Sequence, residues 1–425
     1  MQALLRELRL LLRQPGTLAL LGFVLLTATT SLGLGAREMA AQQALLARLI
    51  ADDRAERAAA LERADDWGDA AYHAFVLTYA PPPTLAFVAL GQRDVAPWLL
   101  RVRALALEGQ IYESDRGNPE LALLGRLDYA FVIAFLVPLF VAALLHDLVA
   151  RERDHGRLGL LLATAAAARR LWVPRVAAAL LTLLLCLLAP FVAAAALLEV
   201  PPGAAAAVML IVIAQTAGWA ALVLWFAFRP WDAARIASVM AVIWLLLNLL
   251  LPLFAKLAIE RTVTSVSGAE IALRQREAVN DAWGVPKEVT MTRFFRQHPE
   301  WAATTPVQTP FHWKWYYAFQ HLGDVAVADL SAAYRAAIRR RDELSAWTAL
   351  ISPAVAVQRA LTRLAGTDVE ASLHYDARIR AFHTRLRQFW YPLLFDDVPF
   401  ARERLREVPA FAASATPPAT TPGSR

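Results

Sequence analysis

Cysteine is nearly absent from this 425-residue chain. Cys186 stands alone, so no disulfide can close within the chain, and zinc sites built on paired cysteines are excluded. Charge is scarce too, at 19% of residues against about 25% in ordinary soluble domains. Several chemistries are missing by motif. No glycine is followed by Lys-Ser or Lys-Thr, which excludes ATP binding through a phosphate loop. No His-Glu-x-x-His run offers a zincin site, and no Gly-x-Ser-x-Gly elbow presents a serine nucleophile. The net charge of +6 gives no argument for nucleic acid, because much of it falls on arginines that flank apolar runs.

Apolar length is what the chain has in excess. Hydrophobic residues make up 58% of it, and the mean hydropathy is +0.40. The excess is concentrated in five uncharged runs: Thr17–Ala36, Tyr129–Leu145, Val176–Leu198, Val200–Phe228 and Ile236–Ala255. Each is about long enough to cross a hydrocarbon core of ~30 Å as a helix. Helices are expected there because lipid offers nothing to unpaired backbone groups. A soluble core of five buried helices is disfavoured, since uncharged runs of ~18 residues rarely recur in soluble proteins. The first run follows Arg6, Arg9 and Arg13 but exceeds the ~7–15 residue core of a signal sequence, so it reads as a retained span.

Arginine sets the expected orientation. Arg6, Arg9 and Arg13 precede span one; Arg151, Arg153, Arg157, Arg169, Arg170 and Arg175 lie between spans two and three; Arg229 and Arg235 lie between spans four and five. The loop between spans three and four has Glu199 and no basic residue. Positive short loops mark the cytoplasmic side, which puts the N-terminus and the 146–175 loop inside. Residues 37–128 and 256–408 are then two mainly helical extracytoplasmic segments, the second placed outside by the span count alone.

Residues 37–66 lack glycine and proline and continue span one as a long helix. Pro81-Pro82-Pro83 ends regular structure, residues 94–108 read as another helix, and residues 116–128 hold a turn at Asn118-Pro119 before a short helix. Helical patterns follow near 260–283, 329–350, 353–364 and 369–389. Between the first two, Trp301, Trp313, Trp315, Tyr316 and Tyr317 crowd together with Phe311 and Phe319. They read either as a partner or substrate surface, or as a domain core or interfacial belt. Arg378, Arg380, Arg385 and Arg387 interleave with aromatics near the C-terminus, as an interfacial helix or one packed on its own domain. His298, His312, His321, His374 and His383 match no compact ligand spacing, so no metal site is assigned. Gln215 and Asn248 lie within spans, and Pro138, Pro190 and Pro252 are expected to kink theirs. Residues 409–425, rich in Ala, Thr, Pro and Ser, read as a disordered tail.

The densest charge falls between spans two and three. Asp147 and then Ala150–Ala163, ARERDHGRLGLLLA, resemble the short cytoplasmic segment of ABC-2-type transporter permeases, close to Glu-Arg-Glu-x-Gly-Thr-Leu. Glu152, Arg153, Asp154, Gly156 and Leu158 match in kind, and Arg157 stands where Thr is usual. Gly125–Phe140 and Ile351–Asp368 resemble landmarks of a subgroup with large extracytoplasmic domains. The resemblance implies an all-α integral membrane protein of the bacterial cytoplasmic membrane, acting as the permease subunit of an exporter. It implies no cofactor and no ATPase site of its own, a separate ATP-binding cassette subunit, a second permease copy or paralogue, and contact with membrane lipids. Asp147, Arg151, Glu152, Arg153, Asp154, Gly156, Arg157 and Leu158 would form the ATPase-coupling element, with Glu152, Arg153 and Arg157 in contact with the ATPase. The family usually has six spans. Either a sixth lies in an apolar patch such as Phe389–Phe395, or this chain lacks it. Two other readings stay open: a non-transporting scaffold or sensor, and a membrane-bound hydrolase using the histidine-bearing segment.

Overall fold

Helix formation follows the apolar runs and then overshoots them. The computed structural model describes residues 2–113, 127–164 and 168–412. Five helices there are long and apolar enough to cross a membrane: Pro15–Arg63, Tyr129–Asp154, Trp172–Leu197, Pro202–Ala227 and Ala233–Thr262. This mainly helical build fits an all-α membrane protein. Ahead of span one, the amphipathic helix Gln2–Leu11 packs against span three. Span one runs unbroken for 49 residues, because nothing between Arg37 and Arg63 interrupts it.

Two spans absorb their prolines through single π-helical turns. Val132–Leu136 precedes Pro138, and Leu246–Leu250 precedes Pro252. Proline lacks an N–H and crowds the carbonyl four residues back, and a π turn relieves both problems. Trp244 Nε1 donates to Phe135 O at 2.9 Å, so span five takes up a carbonyl that span two's π turn exposes. Pro190 sits inside a continuous helix.

The two long segments expected to lie outside are not separate bodies. One core joins Trp67, Ala70, Val76, Val102 and Ile111 of the first to Phe294, Tyr317, Phe382, Leu386 and Trp390 of the second. Ion pairs cross the same boundary: Arg380 Nη2 lies 2.7 Å from Glu108 Oε2, and Asp324 accepts from the backbone N–H of Leu107 at 2.8 Å.

The helix expected over 94–108 does not form. A 3-10 turn covers Gly91–Asp94, and Leu99–Val102 is a strand paired antiparallel with Val76–Tyr79, Leu77 opposite Arg101. Pro97 interrupts a helix there, and a partner strand is available to pair the backbone. The turn at Asn118-Pro119 lies outside the described residues. The helix expected over 329–350 begins much earlier, as Trp313–Thr348.

No sixth span forms at Phe389–Phe395. That patch ends the helix Val369–Phe395, with Trp390, Tyr391 and Phe395 buried in the outer core. The arginine-aromatic helix is thus packed on its own domain. Residues 409–412, expected to begin a disordered tail, pack instead: Phe411 lies edge-on to Phe382 with centroids 5.3 Å apart, and Arg378 Nη2 donates to Ala412 O. Residues 413–425 lie outside the described part.

Two non-spanning pieces of the chain pack into the span bundle. The helix Pro353–Ala365 contributes Ala354, Val357, Leu361 and Ala365 to the span core. The irregular stretch Leu85–Leu90 is fully buried there. Irregular backbone is tolerated at membrane depth only when protein surrounds it and its polar groups are paired. Ala130 N donates to Val88 O at 2.9 Å, Leu90 N to Asp128 Oδ2 at 3.1 Å, and Thr367 Oγ1 to Ala89 O at 2.9 Å.

Candidate functional site

Span two ends in a charged segment whose side chains reach in three directions. After Leu145, a turn leads to the short helix Ala150–Asp154, then to His155 and Gly156, and Leu158–Thr164 follows. Gly156 has φ of +67° with open space where a Cβ would stand. The left-handed backbone, and not crowding, is what calls for glycine.

Asp147 accepts from Arg151 one turn later, at 2.9 Å from Nε, and Arg151 Nη1 donates to Gln14 Oε1 at 3.1 Å. That bond joins the segment to the start of span one. Glu152 accepts from Arg157 Nε at 3.0 Å and from Arg175 Nη1 at 3.0 Å, and Arg175 Nε lies 3.2 Å from Glu7 Oε2. One arginine at the head of span three thus bridges the N-terminal helix and the segment. Arg153 donates to Trp231 O at 2.9 Å and Arg229 O at 3.2 Å, capping the carbonyls that follow span four. Asp154, His155, Gly156 and Arg157 are exposed, Leu158 is half-buried, and Leu160 and Leu162 are exposed apolar residues on the next helix. A cleft of about 870 Å³ opens beside these groups. Its lining is mixed, with charged groups such as Arg151, Glu152 and Arg175 and leucines such as Leu10, Leu20 and Leu144.

Sequence reasoning assigned Glu152, Arg153 and Arg157 to one outward-facing role. Glu152 and Arg153 are engaged within the chain, and Arg157 is engaged but half-exposed. The missed residues are Glu7, Gln14 and Arg175. The only sequence signal was an unusually charged first helix and an arginine at the head of span three.

The aromatic group serves the outer domain's interior. Trp315 and Tyr317 are buried, and Trp301, Trp313 and Tyr316 are half-buried. Tyr317 Oη donates to Gly68 O at 3.1 Å and Trp313 Nε1 to Asp66 Oδ2 at 3.1 Å. These bonds lock the two outer segments together. His298 and His321 stack edge-on at 4.8 Å. Burial first, then Arg387 and His298, lower His321 to about 3. His383 is fully buried with Nε2 2.7 Å from Leu105 O, and burial holds it well below the usual range. Among the described residues, no group of three or more His, Cys, Asp or Glu side chains is placed to hold a metal.

A bundle of five membrane-length apolar helices fused to one further, mainly helical domain is the class that this geometry defines. Within it, residues 269–414 match the family model described as Domain of unknown function (DUF3526). That stretch covers most of the second of these segments, the inserted helix Pro353–Ala365 included. No curated protein and no solved structure matches the chain.

Proposed function

We propose that the chain is the permease subunit of an ATP-binding cassette exporter, in the bacterial cytoplasmic membrane with its N-terminus inside. It would work with a separate ATPase and a second permease copy. One observation carries this reading beyond the resemblance. The segment following span two bonds to the start of span one through Gln14, to span three through Arg175, and to the loop joining spans four and five through Arg229 and Trp231. A displacement applied there reaches all five spans at once.

The roles within the segment then divide. His155, Arg157, Leu160 and Leu162 offer an exposed face for the ATPase. Glu152 and Arg153 pass its movement to the spans. ATP closes the ATPase dimer, the segment shifts, and the span bundle moves between two states.

Co-expression with an ATP-binding cassette ATPase, sought in the reading frames neighbouring this one, tests the division. Arg157→Glu with Leu160→Asp is expected to lose co-purification. Arg153→Ala is expected to keep the complex but lower substrate-stimulated ATP turnover. If no ATPase binds, or if both variants leave association and turnover unchanged, the reading fails. A scaffold or sensor role then becomes the better account.

A further inference from the structure

The helix Trp313–Thr348 ends in an apolar turn. Trp347 is 68% exposed, Leu350 75% and Ile351 62%. Contacts along this helix locate that turn. A Cβ on Gly323 would meet Val279. Tyr112, which lies against Gly268, bonds Ser331. Arg341 Nη2 donates to Val263 O at 2.9 Å. As the chain steps back from 279 to 263, its contacts step forward from 323 to 341. The last turns of the long helix therefore run antiparallel beside Leu251–Thr262, the outer end of span five, and the two pack together. On the other flank, Arg359 lies 2.6 Å from Asp342, midway along the inserted helix whose apolar face joins the span core.

The exposed turn thus sits at the level where span five leaves its apolar stretch. Beside it, Phe254 and Leu257 of span five also face outward. Arg340, on the same helical face as Trp347 two turns up, is exposed and pairs with Glu343 at 3.0 Å. A tryptophan at the boundary, aliphatics below it and a basic residue above it are the ordering that a membrane interface favours. Three large apolar side chains exposed together to water would instead be an aggregation liability.

We propose that Trp347–Ile351 inserts into the lipid leaflet on the outer domain's side, with Trp347 at the headgroup boundary and Leu350 and Ile351 among the acyl chains. The outer domain would then be anchored in lipid as well as tied to the spans. This requires only that the five helices cross a membrane, and it is independent of the transport reading.

The test uses the full chain with Cys186→Ser and single cysteines at Trp347, Leu350 or Ile351, each carrying an environment-sensitive NBD label. Val325, exposed on the same helix about 33 Å away, serves as the reference position. In nanodiscs of phosphatidylcholine and phosphatidylglycerol, labels on the turn should emit further to the blue than the label at 325. They should also lose intensity when doxyl-labelled lipid is included. Three separate positions keep the test standing if one variant fails to assemble. Emission and quenching equal to those at 325 would overturn the proposal. So would a blue shift without lipid quenching together with cysteine cross-links between two copies, which would mean that a second chain covers the turn.

Discussion

Arg175 Nη1 donates to Glu152 Oε1 at 3.0 Å while its Nε lies 3.2 Å from Glu7 Oε2. One side chain at the head of span three thereby closes a junction between the N-terminal helix and the charged segment. Both carboxylates are mostly shielded from solvent, so removing the arginine takes an ion-pair partner from Glu7 and leaves Glu152 to Arg157 alone. Arg175→Ala should lower stability by about 2 kcal/mol, read as a fall in melting temperature in detergent. Arg175→Lys should fall between the two, because a lysine cannot present the forked geometry. An unchanged melting temperature for the alanine variant would remove the junction from the account.

Gly35 lies against the buried irregular stretch. A Cβ there would stand 2.1 Å from Phe87 O, whereas one on Gly33 would meet nothing within 4 Å. Backbone cannot give way as a flexible side chain does. Gly35→Ala should therefore destabilise by about 3 kcal/mol, while Gly33→Ala should be tolerated or slightly stabilising. The pair is compared by thermal unfolding of the purified protein. Equal midpoints would mean that Leu85–Leu90 does not pack against span one.

Acid should loosen the outer domain in two stages. His321 is held at about 3 against an ordinary 6.5, mainly by burial. Between these values the unfolded chain takes a proton that the folded one refuses, so stability falls as pH drops through this window, on the order of 1 kcal/mol per pH unit. His383 acts in the same direction. Burial raises Glu108, but the hydrogen bonds and charge of Arg380, with Ser331, outweigh it and hold it below 4.5. Its contribution is complete above 4.5 and is lost in stronger acid. His321→Phe should flatten the upper part of the stability-versus-pH curve and leave the steeper acid limb in place. An unaltered slope in the variant would assign the effect to other groups.

Asn248 sits in span five's π turn, buried, and among the described residues neither of its amide atoms has a hydrogen-bond partner. An unpaired amide in an apolar setting is a standing cost. Asn248→Leu, close in volume, should raise stability by about 1 kcal/mol. Thermal unfolding of the purified variant beside the parent protein checks this. A lower melting temperature would contradict the assignment of an unpaired group.

The spans could be read from the sequence because uncharged length is a local property, and the charged segment because its arginines sit between two such lengths. The outer landmarks were visible without their reasons. Ser352 caps Val355 N, Gly366 ends the inserted helix with φ of +65°, and Asp368 caps Ala371 N to start the next helix. The fusion of the outer segments was not legible, since it rests on pairs such as Glu108 with Arg380, 272 residues apart. The strand Leu99–Val102 was missed because its partner lies over twenty residues upstream. The inserted helix was legible as a helix but not as part of the span core, because apolar spacing along a helix does not say what that face packs against.

The 49-residue helix Pro15–Arg63 begins beside Gln14 and ends in the outer domain. At 1.5 Å per residue it is about 74 Å long. A stiff element of that length has mechanical advantage: a tilt of about 5° at its foot would sweep its far end by about 6 Å. Its foot is where Arg151 grips Gln14, so small motions of the charged segment would be magnified at the far end of the helix.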